Sequence, residues 1–340
     1  MMYETLKKLC EVQGISGRED AVSKVIEGMI APYADTIEKD AMGNLIACVK
    51  GTAPKAKVMF AAHMDEIGFL VNFIDDNGFI RFAPIGGINV QAALYSQVVF
   101  ANGVKGILLP DGGTAKEPKL STCYVDIGAK NKKEAQARVS IGDAFALKGN
   151  LQALTRNVWA GRPLDNRAGC AVLVEAMAKL RQTPPKDDIY FVFSSQEEVG
   201  CRGAKTAAFA IDPDFGFSVD VTGTGDTPGA STMAVKQGEG VAIKIKDSSV
   251  ICDTKVVKVM ETLAKENGIP YQREVLLYGG TDASSMQVSG IGAYVGGISI
   301  PSRGIHSGTE SASKKDLLAC VDLTVALATA SLYDLTGYQN

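Results

Sequence analysis

Residues 188–200, DIYFVFSSQEEVG, place an apolar run directly before two adjacent glutamates, Glu197 and Glu198. A short apolar run bounded by polar turn residues is typical of a buried strand. Burying one unpaired carboxylate is costly, and burying two neighbours that repel each other costs more. The stretch therefore predicts either a solvated turn after the strand or a cation that holds both side chains.

Helix-like and strand-like segments alternate on both sides of this stretch. The amphipathic run 166–182 precedes it, a helix-like run (201–210) and an apolar run (215–221) follow it, and a last helix is predicted over 314–335. Alternation of this kind is typical of a mixed or parallel sheet that is covered by helices on both faces. We therefore expect an α/β protein with a three-layer α/β/α domain.

Two capping boxes mark predicted helix starts. Ser16 and Glu19 stand three residues apart before a helix predicted over 18–31. Ser313 and Asp316 stand in the same relation before the last helix. In each pair the first side chain is expected to bond the helix and the second to reach back.

The pattern changes between residues 69 and 155, where short apolar runs are separated by glycine turns. Turn signals at this spacing predict a small β-barrel or sandwich. We expect an inserted barrel-like domain over 69–155, which divides the α/β domain into a first part, 1–68, and a second part, 156–340.

Composition excludes several classes of function. The chain has 340 residues, of which 46% are hydrophobic and 21% are charged, and its formal net charge is -3. Without a basic excess we expect no nucleic-acid partner, and without a long apolar run we expect no membrane span. Seven scattered cysteines without a CxxC pair favour a reduced, cytoplasmic protein.

Metal-ligand residue types follow several of the predicted strands. In open α/β sheets, ligands bind at the carboxyl ends of the strands. The chain has only two histidines, and both lie at such positions. The polar residues expected at this edge are His63, Asp65, Asp165, Glu197, Glu198, Asp220 and His306.

These residues fit two zinc-type ions, each with about three protein ligands and room for water. Asp165 would bridge the ions, His63 and Asp220 would complete one site, and Glu198 and His306 would complete the other.

Two further residues have proposed roles beside the ligands. Glu197 would stay free to act as general base while a metal-bound water attacks a carbonyl. Asp65 would accept a hydrogen bond from the second ring nitrogen of His63.

Each residue also has an ordinary structural explanation. A strand-end histidine often satisfies a core hydrogen bond, Asp165 could cap a helix, Asp220 could cap a turn, and the glutamates could be solvated. Taken singly, these explanations are favoured. Taken together they require five coincidences at one sheet edge, so the metal pair is the stronger hypothesis.

The segment GGTDAS, residues 279–284, is a second candidate for the site. Backbone N–H groups at Gly280, Thr281 and Asp282 could hold the main chain of a substrate or an oxyanion. A plain tight turn explains the same residues equally well.

Six segments together resemble the signature blocks of the tetrahedral aminopeptidases, which include glutamyl and deblocking aminopeptidases. The segments are AAHMDEIG, RPLDNRAG, EEVGCRGA, SVDV, GGTDAS and GIHSGTE. The resemblance runs from GISGRED near the N-terminus to IHS near the C-terminus, and the blocks match in order and separation.

This resemblance implies a cytosolic metallo-aminopeptidase that removes single residues from short peptides with a free N-terminus. It implies a catalytic α/β/α domain with a barrel-like insertion, two zinc or cobalt ions, and a homo-oligomer that forms a hollow tetrahedral dodecamer. Carried over by matching blocks, Glu197 is the base and Asp65 orients a ligand. The implied metal ligands are His63, Asp165, Glu198, Asp220 and His306.

Three alternatives stay open. An N-acyl amino acid deacylase or carboxypeptidase would use the same metal pair, but its lid domain follows the paired glutamates and usually carries an extra histidine. An endoglucanase would need two flanking carboxyl groups and would leave His63, Asp220 and His306 without a role. A non-enzymatic shell would have no use for an intact ligand set.

The preferred N-terminal residue of the substrate is not readable from the sequence. Arg202, Lys205 and Arg303 lie near the motif blocks and would suit an acidic residue, but an aliphatic preference is equally open.

Overall fold

The structure, a computed structural model, describes residues 1–113 and 117–339. Its strands, in chain order, are β1 (Thr36–Lys39), β2 (Leu45–Val49), β3 (Lys57–His63), β4 (Gly68–Ile74), β5 (Ile80–Ile85), β6 (Gln97–Phe100), β7 (Lys105–Pro110), β8 (Cys123–Asp126), β9 (Ala144–Leu147), β10 (Gln152–Ala153), β11 (Val158–Gly161), β12 (Asp188–Ser194), β13 (Phe215–Thr222), β14 (Val241–Lys246), β15 (Tyr271–Val275), β16 (Tyr294–Arg303) and β17 (Glu310–Ser313). Its α-helices are α1 (Met2–Cys10), α2 (Asp20–Ile30), α3 (Val90–Ala93), α4 (Lys132–Gln136), α5 (Leu164–Leu180), α6 (Arg202–Ile211), α7 (Thr254–Glu266), α8 (Ala283–Gln287), α9 (Lys314–Thr329) and α10 (Leu332–Thr336).

An eleven-stranded mixed sheet forms the main domain. Its order is β1-β2-β12-β3-β13-β16-β17-β11-β10, with β14 beside β16 and β15 beside β14. The central strands β12, β3, β13 and β16 are parallel, whereas β2, β14 and β17 pair antiparallel with their neighbours in this central group. The parallel centre brings the carboxyl ends of four strands to one edge, as the alternating sequence predicts.

Helices cover both faces of this sheet. Helices α1, α2, α5, α7 and α9 form one layer, and α6 and α8 contact the sheet from the other side. The strands between them are buried on both faces, and Phe60 stacks on Phe191 and Phe217 from the two neighbouring strands. The predicted three-layer α/β/α arrangement is therefore confirmed. In the described part of the chain, no helix has the length and apolar character needed to cross a membrane.

Strands β4 to β9 close into a six-stranded barrel in the order β4-β5-β8-β7-β6-β9. Its interior is filled by aromatic rings in contact, those of Phe69, Phe82, Phe100 and Phe145. The short apolar runs that glycine turns separate thus fold as a barrel rather than a sandwich. Strand β10, which follows, pairs with β11 of the large sheet.

The capping box predicted at Ser16 is wrong. Helix α2 begins at Asp20, and the Ser16 hydroxyl instead donates to Asp65 at 2.6 Å. Glu19 accepts from the backbone N–H groups of Gly17 and Gln196. Each side chain bonds a residue that is distant in sequence, Asp65 or Gln196, so tertiary contacts take part where a local cap was predicted.

The second capping box forms only in part. The Ser313 hydroxyl accepts from a backbone N–H two residues on, as an N-cap does. Asp316 instead accepts from the backbone N–H groups of Gly238 and Gly240. The single helix predicted over 314–335 is two helices, α9 and α10.

Candidate active site

Several chain segments deliver polar side chains to the carboxyl edge of the parallel strands. One histidine ends β3, an aspartate lies near the end of β13, and the paired glutamates follow β12. A second aspartate opens α5, and a second histidine follows β16. They line one cavity of about 520 Å³. These residues are His63, Asp220, Glu197, Glu198, Asp165 and His306.

The first group of potential metal ligands is His63, Asp165 and Asp220, whose donor atoms lie within 4.8 Å of one another. His63 Nε2 is 3.1 Å from Asp165 Oδ1 and 3.6 Å from Asp220 Oδ1. All three residues are buried. One imidazole and two carboxylates at this spacing form a donor set that suits a zinc-type ion.

The second group is Asp165, Glu198 and His306. His306 Nε2 is 3.2 Å from Asp165 Oδ2 and 3.1 Å from Glu198 Oε2. The two carboxylate oxygens of Asp165 therefore face different histidines. A carboxylate shared in this way joins the two groups into one centre.

Asp65 anchors both the histidine and the glutamates. His63 Nδ1 lies 3.1 Å from the backbone carbonyl of Asp65 and 3.4 Å from its carboxylate. The same carboxylate accepts from the backbone N–H groups of Glu197, at 3.0 Å, and Glu198, at 3.2 Å. A proton on Nδ1 leaves Nε2 of His63 free to face the other two aspartate side chains.

The site carries more negative charge than its own side chains neutralise. Burial raises the pKa of Glu198 to about 7, with repulsion from Asp165 adding to it. Burial also raises the pKa values of Glu197 and Asp220. Burial opposes protonation of His306, but its hydrogen bonds to Asp165 and Glu198 raise its pKa to about 11. Divalent cations would supply the missing positive charge, and the oxygen and imidazole donors fit them.

Glu310 is a site residue that the sequence analysis missed. One of its carboxylate oxygens accepts from the backbone N–H groups of Leu164, at 2.5 Å, and Asp165, at 2.9 Å. The other accepts from the N–H of His306 at 3.3 Å. It thus fixes the backbone beneath the shared aspartate and one histidine. Its place in the block GIHSGTE was the available signal, but nothing in that block marks its burial.

A buried group of Arg162, Arg167 and Glu66, here called the arginine cluster, lies behind the site. Glu66 is 3.2 Å from Nη2 of Arg162 and 3.7 Å from Nη2 of Arg167. Arg167 also donates from Nε to the backbone carbonyl of Met64 at 2.8 Å. The cluster holds the start of α5, which carries Asp165, against the end of β3.

The GGTDAS segment reaches the cavity through Gly279, Gly280 and Ser284. The Thr281 hydroxyl is buried and accepts from the Ser218 hydroxyl at 3.2 Å, and Asp282 is buried and accepts from the Ser194 hydroxyl at 2.5 Å. These two side chains brace the loop, and neither is part of the cavity lining.

The three basic residues near the motif blocks are directed elsewhere. Arg202 donates to the Gln196 side chain at 3.2 Å, and Arg303 pairs with Asp226 at 2.6 Å. Lys205 is exposed on α6. None of the three basic side chains lines the cavity described above.

Residues 43–323 match a family profile described as "M42 glutamyl aminopeptidase". The chain belongs to the M42 family of aminopeptidases. As an M42 protein it is a peptide hydrolase, and the resemblance to tetrahedral aminopeptidases that the motifs indicate is confirmed.

Relatives of this M42 chain align along nearly their whole length. A provisionally named aminopeptidase of Acetivibrio thermocellus is 46% identical over 326 residues, which cover 95% of this chain and 97% of the relative. A lysyl aminopeptidase of Pyrococcus furiosus is 34% identical over 349 residues, which cover 98% and 97% of the two chains.

Solved structures share the fold of the M42 chain. An aminopeptidase from Desulfurococcus kamchatkensis has a TM-score of 0.94 at 34% identity, covering 98% of this chain and 96% of its own. The TET1 peptidase of Pyrococcus horikoshii, described as assembling into a tetrahedron or a large octahedral shell, has a TM-score of 0.86 at 33% identity and covers 96% and 99%. A structure from Thermotoga maritima named an endoglucanase has a TM-score of 0.82 at 28% identity and covers 98% of both chains.

Proposed function

We propose that this M42 protein is a two-metal aminopeptidase that removes single residues from the free N-terminus of short peptides. One observation carries the proposal: the two oxygens of Asp165 face two different histidines, each of which has a further carboxylate beside it. Such an arrangement suits two neighbouring ions that share one ligand.

His63, Asp165 and Asp220 would hold one ion, and Asp165, Glu198 and His306 would hold the other. When bound, two such ions would polarise the scissile carbonyl and make a water molecule more acidic. The sequence resemblance implies zinc or cobalt, and an oxygen and imidazole site of this kind accepts either.

Glu197 is proposed as the general base. Its Oε2 is 3.8 Å from His63 Nε2, its side chain is 11% exposed, and it lines the cavity. Burial raises its pKa well above the usual range for a glutamate in the metal-free protein. Cations bound beside it would favour the deprotonated carboxylate, which is the form that accepts a proton. Glu197 would take a proton from the attacking water and later deliver it to the leaving amine.

The cavity wall supports a free amine and an uncharged side chain at the substrate N-terminus. The surplus of carboxylates would attract an α-ammonium group, which an acetylated peptide lacks. Val221, Leu276 and Ile305 line the same cavity. Arg202, Arg303 and Lys205 do not line it, so we propose that aliphatic residues are removed faster than acidic ones.

The test uses matched tripeptides that begin with Leu, Glu or Lys, each with a free and an acetylated N-terminus. The metal-loaded protein is expected to release single residues from the free peptides, fastest from the Leu peptide, as read by mass spectrometry. Release of the acetyl group or of the C-terminal residue would contradict the proposal and favour a deacylase or a carboxypeptidase.

The role of Glu197 has a separate test. Glu197→Gln is expected to lower kcat by about 10²–10⁴-fold, which is the usual size of a general acid–base contribution. It should retain two metal equivalents per chain by elemental analysis. Glu27→Gln, an exposed glutamate on α2, is the matched control and should leave kcat unchanged. A Glu197→Gln protein with normal kcat would refute the assignment.

The endoglucanase name of one structural neighbour makes glycoside hydrolysis the second outcome to measure. A metal-dependent peptidase should lose activity in EDTA, whereas a glycosidase that depends on two carboxyl groups need not. Cleavage of cello-oligosaccharides that persists in EDTA, without peptide cleavage, would replace the proposed function.

We also propose that the chain forms a homo-oligomer, as the TET1 relative does. In the described residues, large apolar side chains are exposed at and near β15 and α8, where Tyr278 is 72%, Val288 is 74% and Ile291 is fully exposed. Exposed apolar side chains of this size suit subunit contacts. Size-exclusion chromatography with light scattering is expected to find assemblies larger than the 35.8 kDa monomer, and a lone monomer at micromolar concentration would refute the proposal.

A further inference from the structure

A third group of potential ligands lies beside the proposed two-metal centre. One donor atom each from Glu197, Cys201 and Asp282 falls within 4.8 Å of the others. None of the three residues belongs to the two groups that share Asp165. Glu197 and Cys201 also line the cavity, so the third group lies at the edge of the same site.

Cys201 is set apart from the other cysteines of the chain. It is partly exposed and lines the cavity, whereas the other six are buried. Its Sγ donates to Glu197 Oε1 at 3.3 Å. A thiol that is open to the cavity and in contact with the proposed base is accessible to small solutes that enter the site.

Asp282 supplies an independent sign that a cation fits here. Its side chain is 2% exposed, and Oδ2 accepts from the Ser194 hydroxyl. Oδ1 is buried and has no hydrogen-bond partner among the described residues. A buried carboxylate oxygen without a partner is costly, and a bound cation would satisfy it.

We propose that Glu197, Cys201 and Asp282 form an additional site for a soft divalent cation, zinc in excess or cadmium, and that its occupation inhibits the enzyme. Inhibition rests on the proposed role of Glu197, because a carboxylate that binds this cation can no longer take a proton from water. The site itself does not depend on that role.

The donor set explains why this site would select among metals. Thiolate ligands favour zinc and its softer analogues, whereas carboxylates alone also suit harder ions. Binding breaks the S–H bond of Cys201, forms a metal–sulfur bond and releases the proton to solvent. Magnesium and manganese, which prefer oxygen ligands, should therefore not inhibit through this site.

The loops that carry the three residues are tied together before any ion binds. The Ser285 hydroxyl donates to the backbone carbonyl of Cys201 at 3.1 Å, and the Ser284 hydroxyl lies 3.9 Å from Cys201 Sγ. Ser194, which bonds Asp282, ends β12 just before the glutamate loop. A site whose ligands are already held close loses little conformational freedom on binding.

The experiment titrates cadmium into the metal-loaded protein and follows the ultraviolet charge-transfer band of a cadmium–thiolate bond. Neither of the two groups that share Asp165 contains a thiol, so this band reports a cysteine ligand and not exchange at those positions. Equilibrium dialysis counts bound metal, and peptidase activity in excess zinc is measured in parallel.

We expect the band and one additional metal equivalent in the unaltered protein. Cys201→Ser should abolish the band and raise the inhibitory zinc concentration, relative to its own activity without excess zinc, by about tenfold or more. Asp282→Asn should keep the band but weaken binding, which tests the site even if the cysteine variant folds poorly. Cys123→Ala, in the barrel, is the matched control and should change neither quantity.

A charge-transfer band that survives Cys201→Ser, or its absence from the unaltered protein, would overturn the site. A band that depends on Cys201 without inhibition by excess zinc would retain the site and refute the proposed inhibition. Because the band is read without substrate, failure of the proposed peptidase activity would not be confused with failure of the site.

Discussion

Two buried charged clusters flank the start of helix α5, and they are neutralised in different ways. In the arginine cluster, Glu66 meets two guanidinium groups, and Arg167 donates to several backbone carbonyls. The site around Asp165 contains four further candidate ligands, His63, Asp220, Glu198 and His306, together with Glu197. The residues that line its cavity include no lysine or arginine.

The difference indicates where each cluster obtains its positive charge. The arginine cluster carries its cations in the chain, so it is complete when the chain folds. At the site around Asp165, burial raises the pKa values of Glu198 and Asp220, and repulsion from Asp165 adds to it, whereas, despite its burial, hydrogen bonds to the two histidines lower the pKa of Asp165. Removing a cation from the arginine cluster should therefore destabilise the protein. Removing a carboxylate from the site at Asp165 should stabilise the metal-free protein, because it reduces repulsion among buried carboxylates.

Arg167→Met is expected to have the largest effect on stability. It leaves several backbone carbonyls without a donor and removes one partner of a buried carboxylate, which typically costs about 3–5 kcal/mol. Urea-induced unfolding of the metal-free protein at a fixed concentration measures this loss. Lys179 lies on α5, as Arg167 does, and forms an exposed pair with Asp322 of α9. Lys179→Met breaks this pair, is the control and should cost less than about 1 kcal/mol. Equal losses in the two variants would remove the distinction between the clusters.

Glu198 should make the metal-free protein less stable as pH rises. Its pKa is raised from 4.5 to about 7, so the folded chain holds a proton that the unfolded chain has already released. The free energy of unfolding is therefore expected to fall as pH rises from about 4.5 through 7, by up to about 3 kcal/mol.

Two comparisons isolate this effect. Glu198→Gln should flatten the pH dependence of the metal-free protein and raise its stability at pH 8. Metal-loaded protein should also lack the decline, since bound cations replace the missing charge. An unchanged slope in Glu198→Gln would contradict the view that this cluster is short of positive charge.

Glu310→Gln tests whether the backbone beneath the site is held by one carboxylate. A glutamine presents a single carbonyl oxygen and an amide group that cannot accept from a backbone N–H. We expect metal affinity to fall by about 10–100-fold, as is usual when a group that orients metal ligands is altered. Competition with a chelator measures the affinity, and exposed Glu266→Gln is the control. Unchanged affinity would make Glu310 a structural residue without a role at the site.

The smallest effect is expected at a surface pair. Arg273 donates to Glu261 at 2.5 and 2.9 Å, but the arginine is 64% exposed. Arg273→Met should lower the free energy of unfolding at pH 7 by less than any other substitution proposed here. The hydrogen bond to Arg273 lowers the pKa of Glu261, so the difference should vanish as pH falls through that lowered value. If Arg273→Met lowered the free energy of unfolding as much as Arg167→Met does, exposure would not control how much an ion pair contributes to stability.

Much of the fold could be predicted because local patterns and burial agree. The apolar run before Glu197 is strand β12, and the apolar run 215–221 lies in strand β13. The prediction from local pattern failed where a residue distant in sequence supplied the hydrogen-bond partner. The Ser16 hydroxyl donates to Asp65, and the Glu19 carboxylate accepts from the backbone N–H of Gln196, so the predicted capping box does not form.

The residue types of the candidate site could be predicted from the sequence, but the residues that hold or surround them could not. Histidines and carboxylates at strand ends are distinctive because they are rarely buried without a reason. Glu310, Cys201 and the arginine cluster carry no comparable signal, since a glutamate, a cysteine or an arginine in a loop or helix is usually unremarkable.

The sequence by itself determined which side chains stand at the ends of which strands, because strand periodicity and turn residues are local properties. It also carried the family blocks in their order. Only the tertiary structure decided that the two oxygens of Asp165 face different histidines, and that an oxygen of Asp282 is buried without a partner. Those facts depend on distances of a few ångströms between segments far apart in the chain, and packing of the whole sheet sets such distances.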